Sequence, residues 1–238
     1  MSALFFSIFY QPLFNLLITF TVIAGGNIGW GIVLVTIAVR AFLYPLTQQS
    51  LTAQQSMQRL QPAIAELKVK YKDDKEKFSK ELMELYKQQK VNPFSSCVTV
   101  LLQLPVLLAL YKAFRIGLGA GIPSGILYSF VAAPQTIHTA FLGANLGQPN
   151  VVLAVIAGAF QFLQAKSLPK PPTVSQPVDG AKDEQMASIM NKQMMYVFPI
   201  MTIVIGMRIP SGLTLYWAIS TMLLYIQQLR SLKAHKAL

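Results

Sequence analysis

The sequence predicts an all-α membrane protein: five membrane-spanning helices, an N-terminal interfacial helix and an antiparallel helical hairpin in water. Three observations carry that expectation. Of 238 residues, 53% are hydrophobic and 12% charged, against roughly 25% charged in an average soluble domain. No charged side chain occurs from Met1 to Val39, and every Asp and Glu falls within 66–84 or 179–184. The net charge of +11 sits in stretches flanking apolar segments, the placement of a topology signal rather than of a nucleic-acid surface.

Residues 1–26 contain an apolar stretch, 4–24, interrupted by Gln11, Pro12 and Asn15. It is long enough to span, but an amphipathic helix in the interface fits the interruptions better. Gly25 and Gly26 then allow a sharp bend. The stretch has no basic flank and no small-residue cleavage pattern, so it is expected to be retained. Residues 27–47 form the first firm span, long enough at 1.5 Å per residue to cover about 30 Å of hydrocarbon.

Residues 48–92 read as two amphipathic helices. Met57, Leu60, Ile64, Leu67 and Tyr71 recur at spacings of three and four, and Phe78, Leu82 and Leu85 repeat the seam. Asp73 and Glu76 resemble a capping box opening the second arm. The expected product is a coiled-coil-like hairpin whose outer faces carry nine Lys/Arg and six Asp/Glu. A solvated helical pair accounts for the pattern fully; a docking role is additional.

The second span is 93–115, followed by an uncharged Gly- and Pro-bearing loop at 116–149. The third is 150–166. Residues 167–192 hold four prolines and few apolar side chains, a loop with no core to bury. The fourth span, 193–208, and the fifth, 212–230, are separated by Ile209-Pro210-Ser211-Gly212. That tight reversal predicts an antiparallel pair. A short tail, 231–238, follows.

Orientation follows from counting. The hairpin, the proline-rich loop with its flank and the tail hold 16 of the 20 basic residues. With five spans these three regions share one side, and the positive-inside rule makes it the cytoplasm.

Arg40 is the sharpest chemical feature, about seven residues, or roughly 10 Å, from the cytoplasmic end of its span. An arginine at the bilayer centre costs about 2.5 to 3.5 kcal/mol on insertion scales. Snorkelling to the inner headgroups is one explanation; a water-filled cavity is the other. Polar company favours the cavity: Gln103 in the second span, Gln161 and Gln164 in the third, and Thr214, Tyr216, Trp217, Ser220 and Thr221 in the fifth. Facing lipid, each would carry a desolvation penalty. No Asp or Glu lies in any expected span, so Arg40 has no counter-ion there and no carboxylate relay exists. Cys97 is the single cysteine, and His138 and His235 stand far apart. Neither a disulfide nor a metal site nor a catalytic cluster is expected, and no cofactor is implied.

These residues resemble a known family. Gln11-Pro12-Leu13-Phe14, Gly29-Trp30-Gly31, the run 39–47 (VRAFLYPLT), Leu60-Gln61-Pro62 and Lys90-Val91-Asn92-Pro93 occur in order. They are followed by Cys97, Gln103-Leu104-Pro105, Ala109-Leu110-Tyr111, Pro210-Ser211-Gly212-Leu213 and Leu215-Tyr216-Trp217. The ordered set is similar to the YidC/Oxa1/Alb3 membrane protein insertases, in the form without the large extracytoplasmic domain. The resemblance implies a five-helix insertase core and a positively charged groove open to cytoplasm and lipid. It matches Arg40 to the groove arginine and Trp217 to an aromatic groove position, with Gln103 and Gln164 lining it and 48–92 as the hairpin that receives substrate. It implies nascent membrane proteins and the lipid bilayer as partners, admits a Sec translocon and a ribosome, and places the chain in a bacterial plasma membrane. Ser95-Ser96 replace two common glycines, Thr99 a common proline, and Arg208 puts a charge where an apolar residue is usual. The competing readings are a small transporter or channel using the same cavity, which would be expected to show paired halves, and a structural scaffold.

Overall fold

The computed structural model describes residues 3–72, 74–89, 103, 105–112, 122, 125–167 and 193–236. The expected start of the second span at 93–102, Cys97 and the loop 168–192 lie outside the described residues. Everything described is helical apart from connecting turns and one small β-hairpin.

Helix α1, Gln11–Ile23, is entered through Ala3–Phe5 and a π-helical turn at Phe6–Tyr10. Pro12 explains that turn: without an N–H it cannot continue the regular ladder, and the preceding backbone widens so that Gln11 donates to the Phe6 carbonyl. The same device recurs at Gln193–Val197, just before Pro199. After α1, Gly25 and Gly26 adopt φ of 68° and 85°, a left-handed bend that a side chain would strain. Asn27 then caps α2, its Oδ1 accepting from the N–H groups of Gly29 (3.0 Å) and Trp30 (3.3 Å).

Helix α2 runs from Ile28 to Arg59, 32 residues or roughly 48 Å, with Pro45 inside it. The sequence-based division between a span ending at Thr47 and a hairpin beginning at Gln48 has no counterpart in the backbone. Polarity rises there, but hydrogen-bonded helix continues. The break comes instead at Leu60, because Pro62 opens the next helix, α3, Gln61–Lys70. Helix α4, Lys75–Gln88, packs back on α3. Its cap is Asp74, which accepts from the Lys77 N–H at 3.0 Å, one residue beyond the expected Asp73. The seam residues Met57, Leu60, Ile64, Leu67, Phe78, Leu82 and Leu85 are each half-buried and none is fully buried.

Helix α5 covers 105–112, with residue 103 also helical. Strands β1, Ala140–Phe141, and β2, Ala144–Asn145, form the hairpin. Helices α6, Val151–Ser167, α7, Phe198–Gly206, and α8, Ser211–Lys236, complete the fold. The last two helices reverse direction across the tight turn at 207–210, but α7 and α8 scarcely touch each other, and both pack on α6 instead. The small residues Ala154 and Gly158 of α6 make that possible, since a Cβ on Gly158 would overlap Ile203 of α7.

Backbone hydrogen bonds gather the starts of α2, α6 and α8 at one end. Ile28 N–H reaches His138 O, Ser211 N–H reaches Gln148 O, and Gly212 N–H reaches Leu146 O. Those three helices therefore run the same way, and α7 returns toward them. Around this end lies the apolar core: Tyr10, Phe14, Leu17, Ile18, Ile28, Ile32, Val35, Leu110, Phe141, Leu146 and Leu213. Beyond it the helices are inside out by the standard of a soluble protein. Ile37, Phe42, Val152, Val155, Ile200 and Val204 are all exposed, an outer surface that suits hydrocarbon. The fold is that of an all-α membrane protein.

Candidate functional site

Arg40 sits 12 residues into α2, roughly 18 Å from its start. It is half-buried against α8. Its Nε donates to Ser220 Oγ at 2.8 Å, its Nη2 donates to the same oxygen, and Nη2 also reaches Gln103 Oε1 at 3.2 Å. The Gln103 amide donates in turn to Tyr216 Oη at 2.6 Å. Tyr216 and Ser220 are four residues apart on α8 and share a face, so one helix presents both to the guanidinium. The result is a three-helix polar cluster joining α2, the helical residue 103 and α8.

Every acceptor in that cluster is neutral. Among the described residues no carboxylate lies within ion-pairing distance of Arg40; the ion pair found there, Lys77 with Asp74, belongs to the exposed hairpin. The cluster orients the guanidinium and satisfies part of its five-donor fork but leaves its charge uncancelled. Chemically it can attract an anion.

Of the residues expected to line a groove, Arg40, Gln103 and Tyr216 come together. Gln161 is bonded elsewhere: its Oε1 accepts from Thr202 Oγ1, tying α6 to α7. Gln164 is half-buried three residues further along α6, and its side chain joins none of the Arg40 bonds. Trp217 is half-buried beside Tyr216. Ser220, the closest partner of Arg40, drew no special weight in the sequence because a serine in an apolar helix ordinarily bonds its own backbone.

A second polar zone continues below. On α2, Thr47, Ser50 and Gln55 are buried; on α8, Gln227, Gln228 and Ser231 are. Gln227 Nε2 donates to Tyr44 O and Gln48 Oε1, both at 3.2 Å, while Gln48 and Gln55 each donate to Ser231 Oγ at 3.1 Å. Amide and hydroxyl bonds therefore link these two helices from Arg40 onward.

Fold and site together define a class: a helical membrane protein whose long apolar helix α2 carries an arginine that no carboxylate among the described residues neutralises. The comparisons give the family. The sequence pattern of the family described as 60Kd inner membrane protein matches residues 19–237. A membrane protein insertase YidC of Fusobacterium nucleatum is 38% identical over 205 residues, 85% of each chain. Those of Actinobacillus pleuropneumoniae serotype 3 and Shewanella halifaxensis are 34% and 32% identical over 92% and 91% of this chain. The chain spans 35% of the length of these last two relatives. It belongs to the 60Kd inner membrane protein family, the YidC/Oxa1 family.

Proposed function

We propose that this chain is a membrane protein insertase that carries short hydrophilic segments of nascent membrane proteins past the bilayer's inner half. The observation behind it is Arg40, anchored by Ser220 and Gln103 and, among the described residues, matched by no carboxylate. An acidic segment entering from the cytoplasm exchanges water for a fixed cation at a depth where hydrocarbon would otherwise offer nothing. The segment's apolar helix then moves sideways into lipid, driven by burial at roughly 25 cal/mol per Å². Gln103, Tyr216 and Trp217 line the entry, with Gln161 and Gln164 on its far wall.

The same reading assigns five spans to the segments 27–47, 93–115, 150–166, 193–208 and 212–230, with the α3–α4 hairpin and C-terminus cytoplasmic in a bacterial plasma membrane. Helix α1 lies in the outer interface. Supporting this, Gln11 and Asn15 donate to Ile126 O, and Lys112 lies over the rings of Phe6 and Tyr10. Helix α5 climbs roughly 10 Å between 105 and 112, so α1 meets the outer end of that helix rather than the level of Arg40.

The experiment is rescue of a strain depleted of its own insertase. The wild-type chain is expected to restore growth and insertion of a client with an acidic tail. Photo-crosslinkers at Gln103 and Trp217 should capture nascent chains in a translating extract. Rescue without any crosslink would remove the groove from the account.

A further inference from the structure

The β-hairpin at 140–145 turns through Leu142 and Gly143, with φ of 48° and 80°. Two successive positive φ values in a two-residue loop describe a turn that strongly favours Asn-Gly, Asp-Gly or Gly-Gly. Leucine is costly there, since its Cβ crowds the backbone. Its side chain is also almost wholly out of the protein, 89% exposed. A residue that neither suits its backbone nor packs against its own chain calls for an outside partner.

The hairpin's seating fixes the level of that side chain. Asn27 Nδ2 donates to Ala140 O at 3.1 Å. The neighbouring Phe141 ring fills the space over Gly29, where any Cβ would overlap it, and meets Trp30 edge-on with centroids 5.4 Å apart. Phe141 thus lies beside the first turn of α2, not above it, and Leu142 follows directly. Trp30, on that same turn, is 52% exposed, and Val151 and Val152 open α6 equally bare. These side chains belong to the apolar outer surface that the helices present along their length. Leu142, next in the chain to the Phe141 that touches Trp30, stands at the level of that surface.

We propose that the hairpin tip is a lipid anchor: Leu142 enters the headgroup–acyl boundary of the outer leaflet beside Trp30. A tryptophan at that boundary is an expected interfacial residue; the leucine on a left-handed turn extends the contact from the α2 helix to the loop. Because the hairpin also holds the starts of α2 and α8, anchoring it fixes the depth of the helix that carries Arg40.

The test uses the full chain in vesicles of phosphatidylethanolamine and phosphatidylglycerol. Leu142→Cys and, as the comparison site, the exposed Gln148→Cys are each made with Cys97→Ser and labelled with a nitroxide. At 142 collisions with oxygen should exceed those with a water-soluble nickel chelate several-fold more than at 148. Equal ratios at the two sites would put the tip in water and overturn the proposal. Shielding from both quenchers would indicate a protein partner and overturn it as well. Leu142→Gly is the unlabelled check: thermal stability in micelles no lower than wild type, because the turn relaxes, but lower in vesicles. A loss in both media, or in neither, would overturn the anchor.

Discussion

At the scale of single residues, the decisive quantity is charge at position 40. Arg40→Glu should abolish insertion of acidic-tailed clients, while Arg40→Lys, a point charge without the planar fork, should retain a measurable part; client protease protection reads both. Full activity of the Glu variant would make the cation idle. Ser220→Ala tests orientation separately from charge. It removes the oxygen that accepts two of the guanidinium's N–H bonds, an interaction worth about 1.5 to 3 kcal/mol where one partner is charged. The expected result is a smaller loss than with Arg40→Glu, equal for all acidic clients, with the folded protein still recovered. Arg40 was legible in the sequence because a charge amid apolar residues announces itself. Ser220, 180 positions away, was legible only as one of several polar residues in the fifth span and not as the direct partner of Arg40, since residue type carries no distance. The same limit explains Gln161: it was grouped with Arg40 as one more amide, yet it spends its oxygen on Thr202.

At the scale of elements, the α2–α8 seam invites a stability test. Gln228 is 2% exposed, and neither its Nε2 nor its Oε1 has a hydrogen-bond partner. A buried amide left unpaired costs about 1 to 3 kcal/mol, so Gln228→Leu should raise thermal stability by on the order of 1 kcal/mol, measured by circular dichroism in detergent. Gln227→Leu should do the reverse, since it removes the donor that Gln48 Oε1 and the Tyr44 carbonyl share. In the hairpin, the Lys77 backbone N–H holds the Asp74 carboxyl below its ordinary range, helped by the Lys77 side chain. A depressed folded-state value means that this cap stabilises α4 above the unfolded aspartate pKa and is lost as pH falls through the folded one. Helicity of the hairpin should hold to about pH 4 and decline below it; Asp74→Asn should flatten that decline. The helices themselves were legible as apolar runs and three-four seams. Their ends were less so: the rise in polarity after Thr47 marks where hydrocarbon is expected to stop, not where α2 stops. Adjacency in sequence likewise suggested that α7 and α8 pair, whereas the small face of α6 at Ala154 and Gly158 accepts α7 more closely.

At the scale of the whole molecule, its two ends differ in kind. One end gathers the starts of α2, α6 and α8 on a neutral loop; the other carries the α3–α4 hairpin, with seven lysines between residues 61 and 88 and Arg59 just before it. The positive-inside rule would orient the basic end toward the cytoplasm, and the proposed mechanism needs that orientation, because it has Arg40 drawing an acidic segment from the cytoplasmic side. Single cysteines at Gln148 and Lys87, each with Cys97→Ser, should therefore label with a membrane-impermeant maleimide from opposite sides. Gln148 should react in intact spheroplasts and Lys87 only in inverted vesicles. Changing Lys68, Lys70, Lys72 and Lys87 together to Gln removes four of the nine charges that set the orientation. A mixed population should result, and insertion should fall in proportion to the inverted fraction while Arg40 and its partners stay intact. If the quadruple variant labels uniformly and still loses activity, the hairpin charges act on the client rather than on topology.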